Sequence, residues 1–304
     1  MKSQLTETKS WLDDRFRQAD KDGVYFAHQP IYGFRSGHSE SGFIERHIRT
    51  YAIMRALAHI RFSTLLDVGS AEGYKAFVAK RLFKANVTCL DLSAEACKRA
   101  HELFHIKAVP GDIHRLPFND SSFDVVLCSE TIEHVEDVRK AVKELLRVTR
   151  KAVIITVPHE TEQQVKEHKH EVHAHINRFT LSSYDYLKEK YAVKSRALGN
   201  PLVRLLGYGI EGMPLEHLKT MAYPRTVISL HNAVVAPLAR AFFGKGSAAC
   251  LIQSDQAFTN AFGSHQALLF VILKDNKCWN EKANRKISAR QVIDVRVPLH
   301  KIRL

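Results

Sequence analysis

The residue types that can do chemistry cluster where short apolar runs stop. Thr64-Leu65-Leu66-Asp67-Val68 gives way to Gly69-Ser70-Ala71-Glu72-Gly73. A glycine-bracketed turn of this kind lets backbone N–H groups and a following helix N-terminus come close to a ligand's anionic group. Asp91 ends a second run and is followed by Leu92, Gly111-Asp112-Ile113 follows a third, and Ser129-Glu130 closes a fourth. Carboxylates at such ends accept hydrogen bonds from a ligand's hydroxyls or amines, although an Asp there also serves as a turn or cap residue. Glu133 and His134 come next, with His159 and His175 further on. These are side chains able to take a proton from an acceptor, and Glu133 and His134 head the candidates. The dinucleotide fingerprint G-x-G-x-x-G would need glycine at 71 and 74, where Ala71 and Tyr74 stand, so it fails.

An alternation of strand and helix from 64 to about 198 must hold these positions. Leu65 to Val68, Val87 to Asp91, Ile106 to Val109, Phe123 to Cys128 and Ala152 to Val157, stopped by Pro158, read as buried strands. Tyr74, Phe77, Val78 and Leu82 recur at helical spacing, as do Val138, Val142, Leu145 and Leu146; Ser93 suits a helix N-cap with Glu95 in the first turn. Near-continuous apolar strands between amphipathic helices predict a doubly wound parallel sheet covered on both faces. Its ligand would lie beyond the strand C-termini, at the switch in strand order. A helix from Ser182 to Lys190, a strand from Ala192 to Leu198 and an antiparallel last strand from Ala267 to Leu273 complete the expected α/β domain over 61–275.

Three segments stand outside that frame. Residues 1–60 carry helical patterns from Trp11 to Arg17 and from Phe43 to Ile60, joined by an aromatic-rich loop, and are expected to cover the ligand site through Tyr25, Tyr32 and Arg35. Residues 199–264 form an insert expected to act as an acceptor lid. Its apolar stretch from Val227 to Phe243 is broken by His231, Asn232, Pro237 and Arg240, which suits a helical insert and suggests a hydrophobic acceptor or a peripheral membrane contact. Residues 276–304 read as a basic surface tail.

The 304 residues, 45% apolar, suffice for one large domain with appendages, and the net charge of +13 permits an anionic partner such as nucleic acid, a phospholipid surface or an acidic metabolite. Cys89, Cys97, Cys128, Cys250 and Cys278 form no C-x-x-C pair, and the N-terminus carries no apolar signal region. A reduced, cytoplasmic chain is expected.

The ordered set resembles the class I S-adenosylmethionine-dependent methyltransferases, in their metabolite and quinone-pathway, type 11-like branch. The match runs from Thr64 to Tyr186, with Ala267 to Leu273 as a weaker part, and departs from the usual first motif in having Ala71 where a further glycine stands. The resemblance implies a Rossmann-like seven-stranded sheet and S-adenosylmethionine as cofactor. It implies that Asp67, Gly69, Ser70, Glu72 and Gly73 hold the methionine end, that Asp91 and Leu92 meet the ribose, and that Asp112 and Ile113 meet the adenine. Ser129 and Glu130 would then lie beside the sulfonium. The implied reaction is in-line methyl transfer to a small-molecule or lipid-precursor acceptor. Glu130-x-x-Glu133-His134 with His173-Ala174-His175 is also similar to the metal-dependent 2′-O-methyltransferases of small-RNA ends, where two Glu and two His bind a divalent ion. Glu-x-x-Glu-His-Val recurs without metal in the metabolite branch, as does the pattern around Asn177-Arg178-Phe179-Thr180. The reading adopted is the metabolite branch, with no metal and no nucleic acid; the RNA-end enzyme and a non-catalytic binder of the cofactor are the alternatives.

Overall fold

The computed structural model describes residues 4–34, 36–40, 43–168, 171–217, 224–242, 245–255 and 265–302. Helices α1 (Gln4–Arg15) and α2 (Phe43–Ala58) precede the sheet. Strands β1 (Thr64–Val68), β2 (Asn86–Asp91), β3 (Lys107–Pro110), β4 (Phe123–Ser129) and β5 (Thr149–Pro158) then alternate with α3 (Tyr74–Phe83), α4 (Ala94–Phe104) and α5 (Val138–Val148). After α6 (Glu162–His168) and β6 (Ala192–Leu198) come α7 (Pro201–Glu211), α8 (Arg225–Leu230), α9 (Ala236–Phe242) and α10 (Lys245–Asp255), then β7 (Ala267–Leu273) and α11 (Ala289–Ile293).

The sheet has seven strands in the order β3-β2-β1-β4-β5-β7-β6. Neighbours from β3 to β5 are parallel, and β7 runs antiparallel between β5 and β6. Successive side chains of a strand point to opposite faces, and here both faces are buried. Leu65, Val125, Leu127 and Ile154 join the core beneath α2, α3 and α4, whereas Leu66, Val126, Cys128 and Ile155 join the core beneath α5. Burial on both sides explains why these strands read as unbroken apolar runs. The order reverses between β1 and β4, so their C-terminal ends open a crevice there.

Two expectations need correction. The helix expected over Ser182 to Lys190 is a single 3-10 turn, Asp185–Leu187. Thr180 N–H donates to Ser183 Oγ at 2.8 Å, a local side-chain bond that competes with helix formation. The basic tail is not loose on the surface. Ile287, Ala289, Val292, Ile293 and Val295 are buried in the larger core, with α11 packed on α2 and α10. Val297 N–H donates to Ile31 O at 2.9 Å, Tyr25 N–H to His300 O at 2.8 Å and Ile302 N–H to Gly23 O at 3.0 Å, so the segment straps the N-terminal arm. Its exposed Lys282, Arg285, Lys286, Arg290 and Arg296 interrupt the apolar pattern and hide it.

Candidate active site

A cleft of about 1150 Å³ lies across the C-terminal ends of β1, β2, β4 and β5. That exceeds the volume usual for one drug-sized ligand, so it has room for two small molecules side by side. Gly69 opens the turn after β1 with φ +69, and a Cβ there would stand 2.1 Å from Thr131 Oγ1. Glycine is therefore required both by backbone conformation and by the close pass of the β4 turn. Ala71 takes φ +49 and still donates its N–H to Asp91 Oδ2 at 2.8 Å. Asp91 Oδ1 accepts from Ser93 N–H at 2.9 Å. Each oxygen keeps a lone pair, and Asp91 lines the cleft. Burial pushes its carboxyl up to about 6, against the pull of those two N–H groups.

Gly69, Asp91, Leu92, Asp112, Ile113, Ser129 and Glu130 all line the cleft, as do Glu133, His134, His159 and His175. Asp67, Ser70, Glu72 and Gly73, also expected at the methionine end, do not line it. Asp67 is 1% exposed, with Oδ2 unpartnered; burial raises its carboxyl to about 7 although Lys75 pulls it down. Glu72 Oε1 accepts from Gln29 N–H at 2.7 Å, and Gln29 Oε1 accepts from Tyr74 N–H at 3.1 Å. The arm thus clamps the turn from both sides, which is what Glu72 serves. Ser70 is buried, and Gly73, at φ +84, packs beside Ala100 and Cys89.

The cover is real but is built from other residues than those expected. Tyr25 and Tyr32 are buried away from the cleft, and Arg35 lies outside the described residues. Trp11, Arg15 and Phe16 of α1 and its end line the cleft instead, with His28, Gln29 and, from α2, Arg46 and Arg49. Trp11 stacks on His173 at 4.5 Å, joining the arm to the loop across the opening. Of the insert, Arg204 alone lines the cleft among the described residues. Lys75, on the first turn of α3, was also not singled out by sequence; its signal was a lone cation in the turn after the glycine motif.

Polar atoms in the cleft remain unpaired. Glu130, at φ +55, is bonded through Oε2 to Arg49 Nη1 at 3.2 Å, while its Oε1 is buried without a partner. Glu133 is 1% exposed with Oε2 unpartnered, and burial, then the Glu130 charge, hold its carboxyl well above the usual range. His134 Nδ1 faces Ala174 O at 3.0 Å; burial and the neighbouring His175 press the imidazole down to about 4, so it is neutral at pH 7. His175 Nδ1 faces Glu160 Oε2 at 2.7 Å, and the His134 and His175 rings lie 4.8 Å apart. His159 Nδ1 faces His265 O at 3.3 Å. Of the remaining loop histidines, His170 and the His168 side chain lie outside the described residues. Asp112 is spent partly on its own loop, accepting from His114 N–H at 2.9 Å.

Residues 66–157 match the family model described as a methyltransferase domain. The chain is 33% identical over 108 residues to phthiotriol/phenolphthiotriol dimycocerosates methyltransferase of Mycobacterium tuberculosis, covering 34% of this chain and 40% of that protein. It is 36% identical over 98 residues to fatty-acid O-methyltransferase of Mycolicibacterium smegmatis, covering 31% and 36%. It is 36% identical over 99 residues to 2-methyl-6-phytyl-1,4-hydroquinone methyltransferase of Synechocystis, covering 31% of each. The chain thus spans 40% or less of the length of these curated relatives. The structure of geranyl diphosphate C-methyltransferase from Streptomyces coelicolor superposes with a TM-score of 0.54 at 15% identity, over 90% of this chain and 98% of that one. Phosphoethanolamine N-methyltransferase 2 of Haemonchus contortus does so with a TM-score of 0.55 at 18% identity, over 88% and 60%. At such identities the structures speak for the fold, and the sequence match is to a methyltransferase domain over residues 66–157.

Proposed function

We propose that this methyltransferase domain transfers a methyl group from S-adenosylmethionine to a small-molecule or lipid-like acceptor. The observation that carries the reading is the set of carboxylates at the strand ends: Asp91, Asp112 and Glu130 line one cleft at the switch point, and Glu130 Oε1 is buried there without a partner. These residues fit the cofactor. Asp91 has lone pairs for ribose hydroxyls, Asp112 for an amine, and Ile113 and Leu92 supply apolar contact. Glu130 Oε1 suits an ammonium group, and Lys75, Arg46 and Arg49 suit a carboxylate. The bound cofactor supplies a methyl group on a sulfonium, already an activated leaving group. What remains for the chain is alignment and the exclusion of water, which Trp11 stacked over His173 serves by narrowing the opening. His134, neutral at pH 7, and the imidazoles of His159 and His175 are candidate bases within the cleft for an acceptor that must lose a proton. The curated relatives named for lipids and a phytylated hydroquinone favour an acceptor of that kind. The test is transfer of radiolabel from methyl-labelled S-adenosylmethionine into fatty acids, prenylated quinols and total lipid extract. Label in an organic-soluble product is expected; label confined to RNA ends contradicts the reading.

A second reading, metal-assisted transfer, is favoured by one grouping. Glu133, His134 and His175 offer ligand atoms within 4.8 Å of one another. The Nδ1 of each imidazole faces an outer acceptor, Ala174 O or Glu160, which leaves both Nε2 lone pairs for an ion. Glu133 Oε2 has no other partner. A divalent ion there would polarise an acceptor hydroxyl. Manganese titration followed by electron paramagnetic resonance, with activity measured after chelation, separates the readings. Full activity in chelator and no manganese binding are expected for metal-free transfer. Binding lost in Glu133→Gln, with activity restored by metal, would establish the second reading and reopen an RNA-end acceptor.

A further inference from the structure

Helices α8 and α9, joined by a π-helical stretch His231–Val235, form one continuous rod from Arg225 to Phe242. Its inner face packs on α7: Ala239, Val235 and His231 lie within 4 Å of where a Cβ on Gly209 would stand. Its outer face is apolar and, among the described residues, uncovered. Leu230 is 61% exposed, Val234 44%, Leu238 50% and Phe242 76%. Residues four apart share one helix face, so these make a single stripe, flanked by exposed Ala233, Pro237 and Ala241. A contiguous apolar surface of this kind marks a contact.

Charge indicates what the contact is with. From residue 217 to 254 the sequence contains no Asp or Glu, yet it holds Lys219, Arg225, Arg240 and Lys245. Exposed Arg225 opens the rod, and Arg240, also exposed, lies near its other end with its side chain against Gly212 at the end of α7. No single described helix is long and apolar enough to cross a membrane. With one face already packed on α7, the rod is suited to lie flat, its apolar stripe among acyl chains and its cations among headgroups.

We propose that the outer face of α8–α9 docks on a bilayer containing anionic lipid. The rod rests on α7, which supplies Arg204 to the cleft, so docking would bring the cleft near the membrane surface. That the acceptor is drawn from the bilayer rests on the methyl-transfer reading; the docking does not.

The experiment is co-sedimentation of the full chain with phosphatidylcholine vesicles, with and without phosphatidylglycerol, for the parent and for Leu238→Glu/Phe242→Glu. Both side chains are exposed, so the fold should persist, and unchanged S-adenosylhomocysteine affinity serves as the check. The parent is expected to bind the anionic vesicles, with binding weakened by added salt and at least ~10-fold weaker in the variant, since two apolar anchors become charges. No vesicle binding by the parent overturns the proposal, as does equal binding by parent and variant. A parent dimer in sedimentation velocity that the variant abolishes, without vesicle binding, would assign the stripe to a second copy instead. Loss of turnover on every acceptor with vesicle binding intact would refute the methyl-transfer reading and leave the docking standing.

Discussion

At the scale of single residues, the strand ends carry the site because a parallel sheet brings them together. Gly69, Asp91, Asp112 and Glu130 are far apart in sequence and line one cleft. Their types and places after apolar runs made them legible. Glu72 and Asp67 were equally conspicuous, yet spacing says nothing of direction: one is taken up by Gln29 of the arm, the other is sealed in the sheet. Asp67 yields a test with a definite sign. Its folded carboxyl stands at about 7, above its ordinary 3.8, so its contribution to stability is fully present at low pH and is lost as pH rises through the folded value. Asp67→Asn removes that loss. Relative to the parent, the variant should gain about 1.4 kcal/mol per pH unit between about pH 4 and about pH 7 and level off above. Urea denaturation across that range checks it; a difference independent of pH would mean that Asp67 titrates normally.

At the scale of elements, the central strands were read nearly to the residue because both faces of β1, β4, β5 and β7 are buried, which leaves a near-continuous apolar run. Ala192–Leu198 and Ala267–Leu273 carry the bounds expected of them. Elements whose order depends on distant partners were not legible. The helix expected at Ser182 to Lys190 gave way to hydroxyl-capped turns, and the segment after 275 looked like a tail because cations separate its apolar residues. Its packing on the arm and α2, far upstream, and on α10 reveals it as a strap. Ile293, 1% exposed, distinguishes the two descriptions. Truncating a buried Ile to Ala costs about 2–5 kcal/mol, whereas a surface change stays within about 0.5 kcal/mol. Ile293→Ala should lower the denaturation midpoint accordingly; an unchanged midpoint would return the segment to the status of a tail.

At the scale of the whole molecule, a sheet of order β3-β2-β1-β4-β5-β7-β6 sets a crevice at its reversal, and the N-terminal arm and the 171–175 loop close over it. The sheet followed from the alternation of strand and helix; the closure did not, since a stack between Trp11 and His173 spans most of the domain in sequence. The account stands on that cleft holding S-adenosylmethionine. Calorimetric titration of the full chain with S-adenosylhomocysteine tests this most directly, alongside Asp91→Ala. A charge-assisted hydrogen bond contributes about 1.5–3 kcal/mol, so the parent should bind and the variant should bind roughly 10-fold or more weakly. Unchanged affinity in Asp91→Ala would remove Asp91 from the site, and no heat of binding from the folded parent would contradict the central claim.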